Sequence, residues 1–436
     1  MRAAVVVLGD LGHSPRMQYH AHALAANGVG VDLIGYEGAP LPKFLTDDPR
    51  VTIHRLNSAR MRLRIRRSKV IYGVLAAFDA LRTSIRLGST LLTIPKPDLL
   101  LVQNPPALPT LQVAWIVARL RHVRFVIDWH NLGYTILALR LGRRHIAVRL
   151  ARWLEMIGAR SADAHLCVSR GFSRVLAERF GLTGVRVLYD RPASAFVPIE
   201  RVDREQIRQA LFVRLGIRST GTVGFIVCPT SWTADEDFDL VIEAVRFLED
   251  RVRGWEAPEA LEALRRPRRF PDLVILVTGD GNRRAEFERR FAGLPARRVQ
   301  LRTRWLEPED YPRTVGSADL GLCLHRSSSG VDIPMKVADL FGAGVPVFAL
   351  DYGACLAERV RPGVNGRLFS NARQLADLLF ELFEAFPAGS SELDRLRTGA
   401  RRSARPTWEE GWASEARAVL MPDSQRVSPE PAPDRN

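Results

Sequence analysis

The sequence predicts an α/β protein of two doubly wound, Rossmann-like domains, and three observations predict it. The chain has 436 residues, more than one hydrophobic core ordinarily organises. Short apolar runs alternate with amphipathic segments throughout, the pattern of parallel strands joined by crossover helices. The alternation lapses once, around residues 190–222, where Asp190-Arg-Pro-Ala193 and Arg218-Ser-Thr-Gly-Thr222 flank a charged helix expected at 202–215. The expected division is therefore a first domain at 1–200, a second at 201–420 and a polar, Pro-rich tail at 421–436 with the composition of a disordered segment.

In the first domain strands are expected at 3–8, 31–35, 51–56, 99–103, 125–128, 165–169 and 185–189. Helices are expected at 18–27, 70–92, 108–120, 145–159 and 171–180. The second domain repeats the scheme, with strands at 223–228, 273–278, 299–302, 320–324 and 345–349. Its helices are expected at 236–251, 283–291, 308–316, 334–341 and 371–386, and residues 253–271 read as an exposed insertion. In such sheets ligands bind beyond the carboxyl ends of the strands, and the chemically unusual loops fall there.

Composition excludes several classes. No apolar run reaches bilayer length, and Met1-Arg2 leads straight into a strand, so neither signal peptide nor anchor helix is expected. Four scattered cysteines show no zinc spacing, and no His pair has metal-ligand spacing. No metal site, tightly bound cofactor or divalent cation is indicated. The charge is lopsided: residues 1–195 hold 28 Lys+Arg against 12 Asp+Glu, and the remainder 35 against 36. Residues 60–69, from Arg60 to Lys69, carry six basic residues, no acid and interleaved apolar ones. That segment suits an anionic membrane surface or a lipid-linked diphosphate. It equally suits a solvated basic face in a chain with 59 Arg and four Lys. No nucleic-acid motif accompanies it.

In the first domain the loop Gly9-Asp-Leu-Gly-His-Ser-Pro-Arg16 combines Asp10, Gly12, His13 and Arg16, with Ser14 as expected helix cap and Pro15 at the first helical position. Gln103-Asn104-Pro-Pro106 offers amides on a rigid turn. Asp128-Trp129-His130-Asn131 sets an acid, an indole, an imidazole and an amide at one strand end; rings stack on sugars, and Asp or His takes a hydroxyl proton. In the second domain Pro229 to Glu236, with Ser231 and helix-capping acids, follows the first strand. Thr278-Gly279-Asp-Gly281-Asn282 follows the next, and Trp305-Leu-Glu-Pro308 the third. Residues 325–349 give a polar loop, Ser327-Ser328-Ser329-Gly330, and a helix start at Pro334. Such a helix N-terminus favours phosphate. Lys336 adds a charge, and Asp339 shares its face, where it suits a ribose diol.

These motifs, in order from Val7-Leu-Gly-Asp-Leu-Gly-His-Ser-Pro-Arg-Met-Gln-Tyr-His20 through Ser231-Trp-Thr233, Glu236-Asp-Phe238 and Ser317-Ala-Asp-Leu-Gly-Leu-Cys-Leu-His325 to Phe341, resemble the chitobiosyl-diphospho-dolichol β-1,4-mannosyltransferases of N-glycan assembly. The resemblance spans residues 3 to about 412. It implies a GT-B fold, two domains facing a cleft, and inverting transfer of mannose from GDP-mannose to GlcNAc-GlcNAc-diphospho-lipid (dolichol or polyprenyl), work that feeds protein glycosylation. It implies donor binding by Ser231, Gly279, Gly281, Trp305, Ser328, Ser329, Gly330, Lys336 and Asp339. Acceptor binding is implied for Gly12, His13, Arg16, Gln103, Asn104, Trp129 and Asn131, and catalysis for Asp10, Asp128 and His130, among which the sequence does not choose the base. Asp339 fits the second acid of the Glu-x7-Glu of broader relatives; position 331 is Val and Asp332 stands one residue off. The expected place is peripheral, on the cytoplasmic face of a membrane: endoplasmic reticulum in a eukaryote, inner membrane in a bacterium. Two alternatives stand beside this reading, a GT-B transferase using another nucleotide sugar in envelope polysaccharide synthesis and a catalytically inactive, membrane-recruited adaptor.

Overall fold

The structure is a computed structural model that describes the chain apart from residues 57–68, 218–220, 231, 233–235, 258–268, 282, 308, 388–390 and 423–436. The chain divides into two compact units, Met1–Tyr189 with Trp408–Asn436, and Asp190–Thr407. The junction thus falls about ten residues before the expected one. The C-terminal segment, expected in the second domain, returns to the first.

The first unit runs β1 (Arg2–Asp10), α1 (Pro15–Ala26), β2 (Gly30–Tyr36), α2 (Lys43–Thr46), β3 (Val51–Leu56), α3 (Lys69–Thr93), β4 (Leu99–Asn104), α4 (Thr110–Arg121), β5 (Arg124–Trp129), α5 (Gly133–Leu141), α6 (Ile146–Arg160), β6 (Ala164–Cys167), α7 (Arg170–Phe180) and β7 (Arg186–Val187). Its seven strands stand in the order β3-β2-β1-β4-β5-β6-β7, all parallel. Strand β1 pairs with both β2 and β4, so the order reverses there and the loops after β1 and β4 part to leave a crevice. The central strands are buried on both faces, as the unbroken apolar runs of β1 and β4 require. The expected helix at 18–27 begins earlier, at Pro15. The Ser14 hydroxyl does not cap it but donates to the Asp10 carbonyl at 2.8 Å.

The second unit runs α8 (Arg201–Arg214), β8 (Val223–Cys228), α9 (Phe238–Glu256), β9 (Asp272–Thr278), α10 (Arg284–Ala292), β10 (Val299–Arg304), α11 (Asp310–Gly316), β11 (Leu320–Cys323), α12 (Met335–Gly342), β12 (Val347–Leu350), α13 (Ala354–Ala357), β13 (Gly366–Phe369), α14 (Ala372–Phe383) and α15 (Ser391–Ser403). The strand order is β10-β9-β8-β11-β12-β13, again parallel, with the reversal between β8 and β11. Helix α9 extends through Glu256 into the expected insertion, most of which lies outside the described residues.

The chain then returns to the first unit as α16 (Trp408–Gly411), one π turn (Trp412–Ala416) and α17 (Arg417–Leu420). Trp408, Trp412, Leu420 and Met421 are buried against the β1–β2 core. Met421, expected in the disordered tail, is thus part of that core; residues 423–436 lie outside the described residues.

The Trp412 indole N–H donates to His20 Nδ1 at 3.1 Å. Replacing Trp412 by Ala is expected to cost about 3–5 kcal/mol, the usual penalty for emptying a buried Trp site. Urea unfolding followed by far-UV circular dichroism checks this, and a loss under 1 kcal/mol would mean that the C-terminal helices do not hold the first unit together.

Candidate functional site

The carboxyl edge of the first sheet is organised by two carboxylates. Asp128, at the end of β5, is 0% exposed. Arg16 meets it with two hydrogen bonds, Nε to Oδ2 at 2.6 Å and Nη2 to Oδ1 at 2.8 Å. Arg16 Nη1 donates to the Leu188 carbonyl at 2.8 Å. His20 Nε2 stands 3.2 Å from the same carboxylate. An indole N–H only donates, so Trp412 makes His20 Nδ1 an acceptor and places the proton on Nε2, which donates to Asp128. Burial lowers the His20 pKa, keeping the ring neutral. Burial also disfavours the Asp128 charge, but the Arg16 guanidinium and the hydrogen bond from His20 outweigh it and hold the carboxyl well below its usual range. Neither Asp128 nor Arg16 is open to a ligand; the expectations of a base at 128 and an acceptor contact at Arg16 give way to a buried ion pair. The His130 ring, 20% exposed, has Nε2 at 3.6 Å from Asp128 Oδ2, beyond hydrogen-bond reach.

Asp10 lies at the end of β1. It accepts the Gly12 N–H at 2.9 Å, the Ala39 N–H at 3.1 Å and His13 Nδ1 at 2.6 Å. Burial opposes its charge, but the hydrogen bonds from His13, Ala39 and Gly12 prevail and lower its pKa. Gly12 is required by proximity, because a Cβ there would stand 2.3 Å from the Ala39 carbonyl oxygen. The His13 side chain is 76% exposed, with Nδ1 bound to Asp10 and Nε2 as its second nitrogen.

The amide loop is tied inward. Asn104 Nδ2 donates to the Asn131 carbonyl at 2.9 Å and to Glu155 Oε1 at 2.8 Å, while its carbonyl accepts the His130 N–H at 2.8 Å. Asn131 Oδ1 accepts the Leu132 N–H at 2.7 Å. Trp129, expected to stack on a sugar, is fully buried; it donates to His165 Nδ1 at 3.3 Å and packs on Phe172 and Phe180. Gln103, half-buried, is the amide of this loop with a side chain at the surface. Of the expected acceptor residues, the edge presents His13, Gln103 and Asn131 and buries Arg16, Asn104 and Trp129.

In the second unit the crevice between β8 and β11 is bridged by an isolated antiparallel pair, Glu236 with His325. Glu236, expected as a capping acid, is buried and accepts from Lys336 Nζ and from the Thr230 hydroxyl; Asp237 is the residue that caps α9. Glu236 keeps the Lys336 charge favourable against burial, raising its pKa. The Thr230 hydroxyl also accepts the Trp232 N–H at 2.9 Å. Gly279, with φ +94°, brings the loop after β9 against this one, where a Cβ would stand 2.1 Å from the Thr230 carbonyl oxygen. Three of the expected donor loops therefore meet around Glu236. Ser231 lies outside the described residues; Gly281 is exposed at the entry to α10. Trp305 is 48% exposed beyond β10.

The serine loop closes on itself. Its Gly330 N–H, in the loop expected to close on a phosphate, is taken by the Ser327 hydroxyl at 2.7 Å, and the Val331 N–H by the Ser329 hydroxyl at 3.4 Å. The organiser is Asp332, the acid one residue off the Glu-x7-Glu spacing. Its carboxylate accepts from Ser327 and faces His325 Nε2 at 2.9 Å, and its carbonyl accepts the Tyr352 hydroxyl at 2.8 Å. Ser328 and Ser329 are half-buried on this loop. Asp339 lies one turn along α12 from Lys336 but faces Asp190 and the Ala193 N–H. A cavity of about 840 Å³ in this unit, lined by Arg204, Arg208 and Arg397 among others, sits at the opposite edge, ahead of β8 and β11, and takes no part in this cluster. Among the described residues no group of His, Cys, Asp and Glu suits a metal ion.

The comparisons follow these two units. Residues 12–193 match the family described as Glycosyl transferase 4-like domain, and residues 256–385 the one described as Glycosyl transferases group 1. UDP-glycosyltransferase TURAN of Arabidopsis thaliana is 37% identical, over 96% of this chain and 97% of its own. The proteins named chitobiosyldiphosphodolichol beta-mannosyltransferase of Yarrowia lipolytica and Homo sapiens are 36% and 34% identical, over 94% and 95% of this chain and 84% and 92% of theirs. Among solved structures, WaaG, a glycosyltransferase of lipopolysaccharide biosynthesis, aligns with a TM-score of 0.63 at 15% identity over 97% of this chain and all of its own. Sucrose-phosphate synthase of Thermosynechococcus elongatus gives 0.63 at 17% over 95% and 96%. These structural neighbours share the GT-B arrangement of two parallel-sheet α/β domains.

Burial and the neighbouring Asp190 push the Asp339 carboxyl up to about 7. The folded chain then holds this proton more tightly than the unfolded chain, whose carboxyl has a pKa of about 3.9. Stability is therefore undiminished below about pH 4, falls as the pH rises towards 7 and stays reduced above it. Asp339→Asn is expected to raise the melting midpoint at pH 8 by about 8 °C or more, from about 4 kcal/mol of relieved linkage, and to change nothing at pH 4. Thermal scans at both pH values check this; equal shifts at both would exclude titration of Asp339 as the cause.

Proposed function

Because the chain belongs to the chitobiosyldiphosphodolichol β-mannosyltransferase family of glycosyltransferases, we propose that it transfers mannose from GDP-mannose to a GlcNAc-GlcNAc-diphospho-lipid, forming a β-1,4 linkage with inversion. The carrying observation is that the similarity to proteins of that name runs through both units rather than one. In this reading the second unit takes the nucleotide sugar and the first takes the lipid-linked acceptor. The protein works peripherally at the cytoplasmic face of a membrane; among the described residues no helix is long and apolar enough to cross one.

Inversion requires a base that removes the acceptor hydroxyl proton while that oxygen attacks the anomeric carbon and GDP departs with the bonding pair. We assign the base to His13. Asp10 fixes its Nδ1 at 2.6 Å, leaving Nε2 as the proton acceptor, and its ring is accessible. The charge developing on GDP falls to Lys336 and the N-terminus of α12, with Glu236 positioning the ammonium. Trp305 is assigned to the base; Asp339, turned towards Asp190 and Ala193, is left out of the donor contacts. On the acceptor side Gln103 and Asn131 meet sugar hydroxyls.

One observation favours a second reading: the Arabidopsis relative is named for UDP-sugars. Thermal shift with GDP and UDP separates the two, and the proposal expects stabilisation by GDP. Radiolabelled GDP-mannose with a synthetic chitobiosyl-diphospho-lipid tests the reaction itself. Transfer only from a UDP-sugar, or only to another acceptor, would overturn the substrate assignment. His13→Ala is expected to lower kcat by about 10²–10⁴, and Lys336→Ala by about 10²–10³ with substrate binding less affected. A larger loss in His130→Ala than in His13→Ala would move the base to His130.

A further inference from the structure

Helix α6 of the first unit is turned inside out. Apart from the carboxylate Glu155, its buried residues are no larger than valine: Val148, Ala151, Gly158 and Ala159; Gly158 lies so close to α4 that a Cβ would stand 2.8 Å from Leu111 Cβ. Its large apolar residues point outward instead. Ile146 (69% exposed), Leu150, Trp153 (52% exposed) and Ile157 are spaced by four, three and four residues, which puts them on one stripe. Helix α5, packed beside it, buries none of its nine residues. On the other side α6 packs on α4, and α4 on α3; α3 exposes Phe78, Leu81 and Ile85 at the same helical spacing. A monomer rarely leaves this much contiguous apolar surface without a partner.

The charge around the stripe says which partner. Residues 133–160 contain six arginines and one carboxylate, Glu155, and that carboxylate is fully buried. Arg140, Arg143, Arg144, Arg149 and Arg152 are exposed beside the apolar side chains. Apolar side chains, a tryptophan and arginines without an exposed acid are what the head-group layer of an anionic bilayer accepts. A protein partner of ordinary mixed charge does not call for that exclusion of acid.

We propose that the α5–α6 face is a membrane-docking surface that seats on anionic lipid. The same elements reach the candidate acceptor edge. Helix α5 starts at Gly133, two residues after Asn131, and Glu155 of α6 takes the Gly133 N–H at 2.8 Å, the Tyr134 N–H at 2.9 Å and the Asn104 amide. One buried carboxylate therefore fastens the docking helices to the loops carrying His130 and Asn131. The diphosphate of a lipid-linked acceptor is then presented to that edge while its chain stays in the bilayer. This last step rests on the acceptor proposed above; the docking itself does not.

The test is co-sedimentation with phosphatidylcholine vesicles containing phosphatidylglycerol. The full chain is expected to bind, less so in high salt and on phosphatidylcholine alone. Leu150→Gln/Trp153→Gln is expected to weaken the partition coefficient at least tenfold, and each of Arg143→Gln and Arg149→Gln about fivefold on anionic vesicles only. These surface variants should keep the wild-type melting midpoint and wild-type turnover of a detergent-free, short-chain acceptor, with loss confined to vesicle-embedded acceptor. Wild-type partition of the Leu150/Trp153 variant overturns the proposal, as does loss of binding only on neutralising Arg60 to Lys69. So does a dimer in light scattering that the Trp153 change dissolves without effect on vesicles. If vesicles bind as expected but no mannose is transferred, the docking surface stands and the acceptor reading alone fails.

Discussion

A carboxylate buried at the carboxyl edge of a parallel sheet has to be matched by a cation or by hydrogen-bond donors, or it drops its charge. Both units are arranged around this constraint. Asp128 at the end of β5 draws in Arg16 and His20 from α1, and through His20 it reaches Trp412 of the returning C-terminal segment. Glu236, between β8 and β11, draws in Lys336 from α12 and Thr230 from the loop before it. The helices that follow the strands are thus locked in rotation by polar bonds, where hydrophobic packing alone leaves several rotations of similar energy. Removing one partner of such a pair costs several kcal/mol, because the other is left charged and dry.

The consequence for chemistry is a division of labour within each unit. Arg16, Asp128, Asn104 and Glu155 hold loops, so among the described residues the surface left to a ligand is small: the Asp10–His13 pair, Gln103, Asn131 and the half-buried His130 in one unit, Lys336 with the serine loop and Trp305 in the other. A site of few exposed groups on a heavily bonded support is a preorganised one, since the groups that face the ligand have little freedom left to lose. The exposed apolar face of α5 and α6 hangs on the same support through Glu155.

Much of this was legible in the sequence, and what was not has a physical reason. Strand and helix periodicity marks all seven strands of the first sheet and five of the six in the second, leaving β13 and the helices α2, α5, α13 and α15 unmarked; β3 and β8 are placed to the residue and most other marked boundaries within three. The carboxyl-edge loops were found from their composition. Burial was not visible: Arg16, Trp129 and Asp128 look like ligand groups in a string of letters, because Arg–Asp pairing across 112 positions leaves no local signature. Glu236 read as a capping acid for the same reason, its partner being 100 residues on. Asp332 was set aside because its spacing missed a family pattern, although three polar neighbours within seven residues pointed to a local hub. The outward stripe of α6 was in the sequence as Ile146, Leu150, Trp153 and Ile157, but periodicity marks a face without saying which side it takes. The C-terminal return of Trp408 to Met421 had no signal beyond two tryptophans in a polar stretch.

Lys336 shows why the support matters to the proposed reaction. Its charge is already matched by Glu236, so the pair is close to neutral towards an incoming nucleotide diphosphate, and ground-state attraction at this point is modest. A diphosphate that pulled the ammonium fully away would leave Glu236 buried and unpaired, at a cost comparable to what it gained. The favourable arrangement keeps Lys336 between the two anions, bound to Glu236 and facing the phosphate. As the anomeric bond breaks, negative charge grows on the phosphate side alone. The ammonium is already in place and needs no reorganisation, so its stabilisation rises with that charge and falls mainly on the transition state. Glu236 thereby turns a flexible lysine into an oriented one, which is the reason to expect a carboxylate beside a cation in a site that has to bind and release an anion.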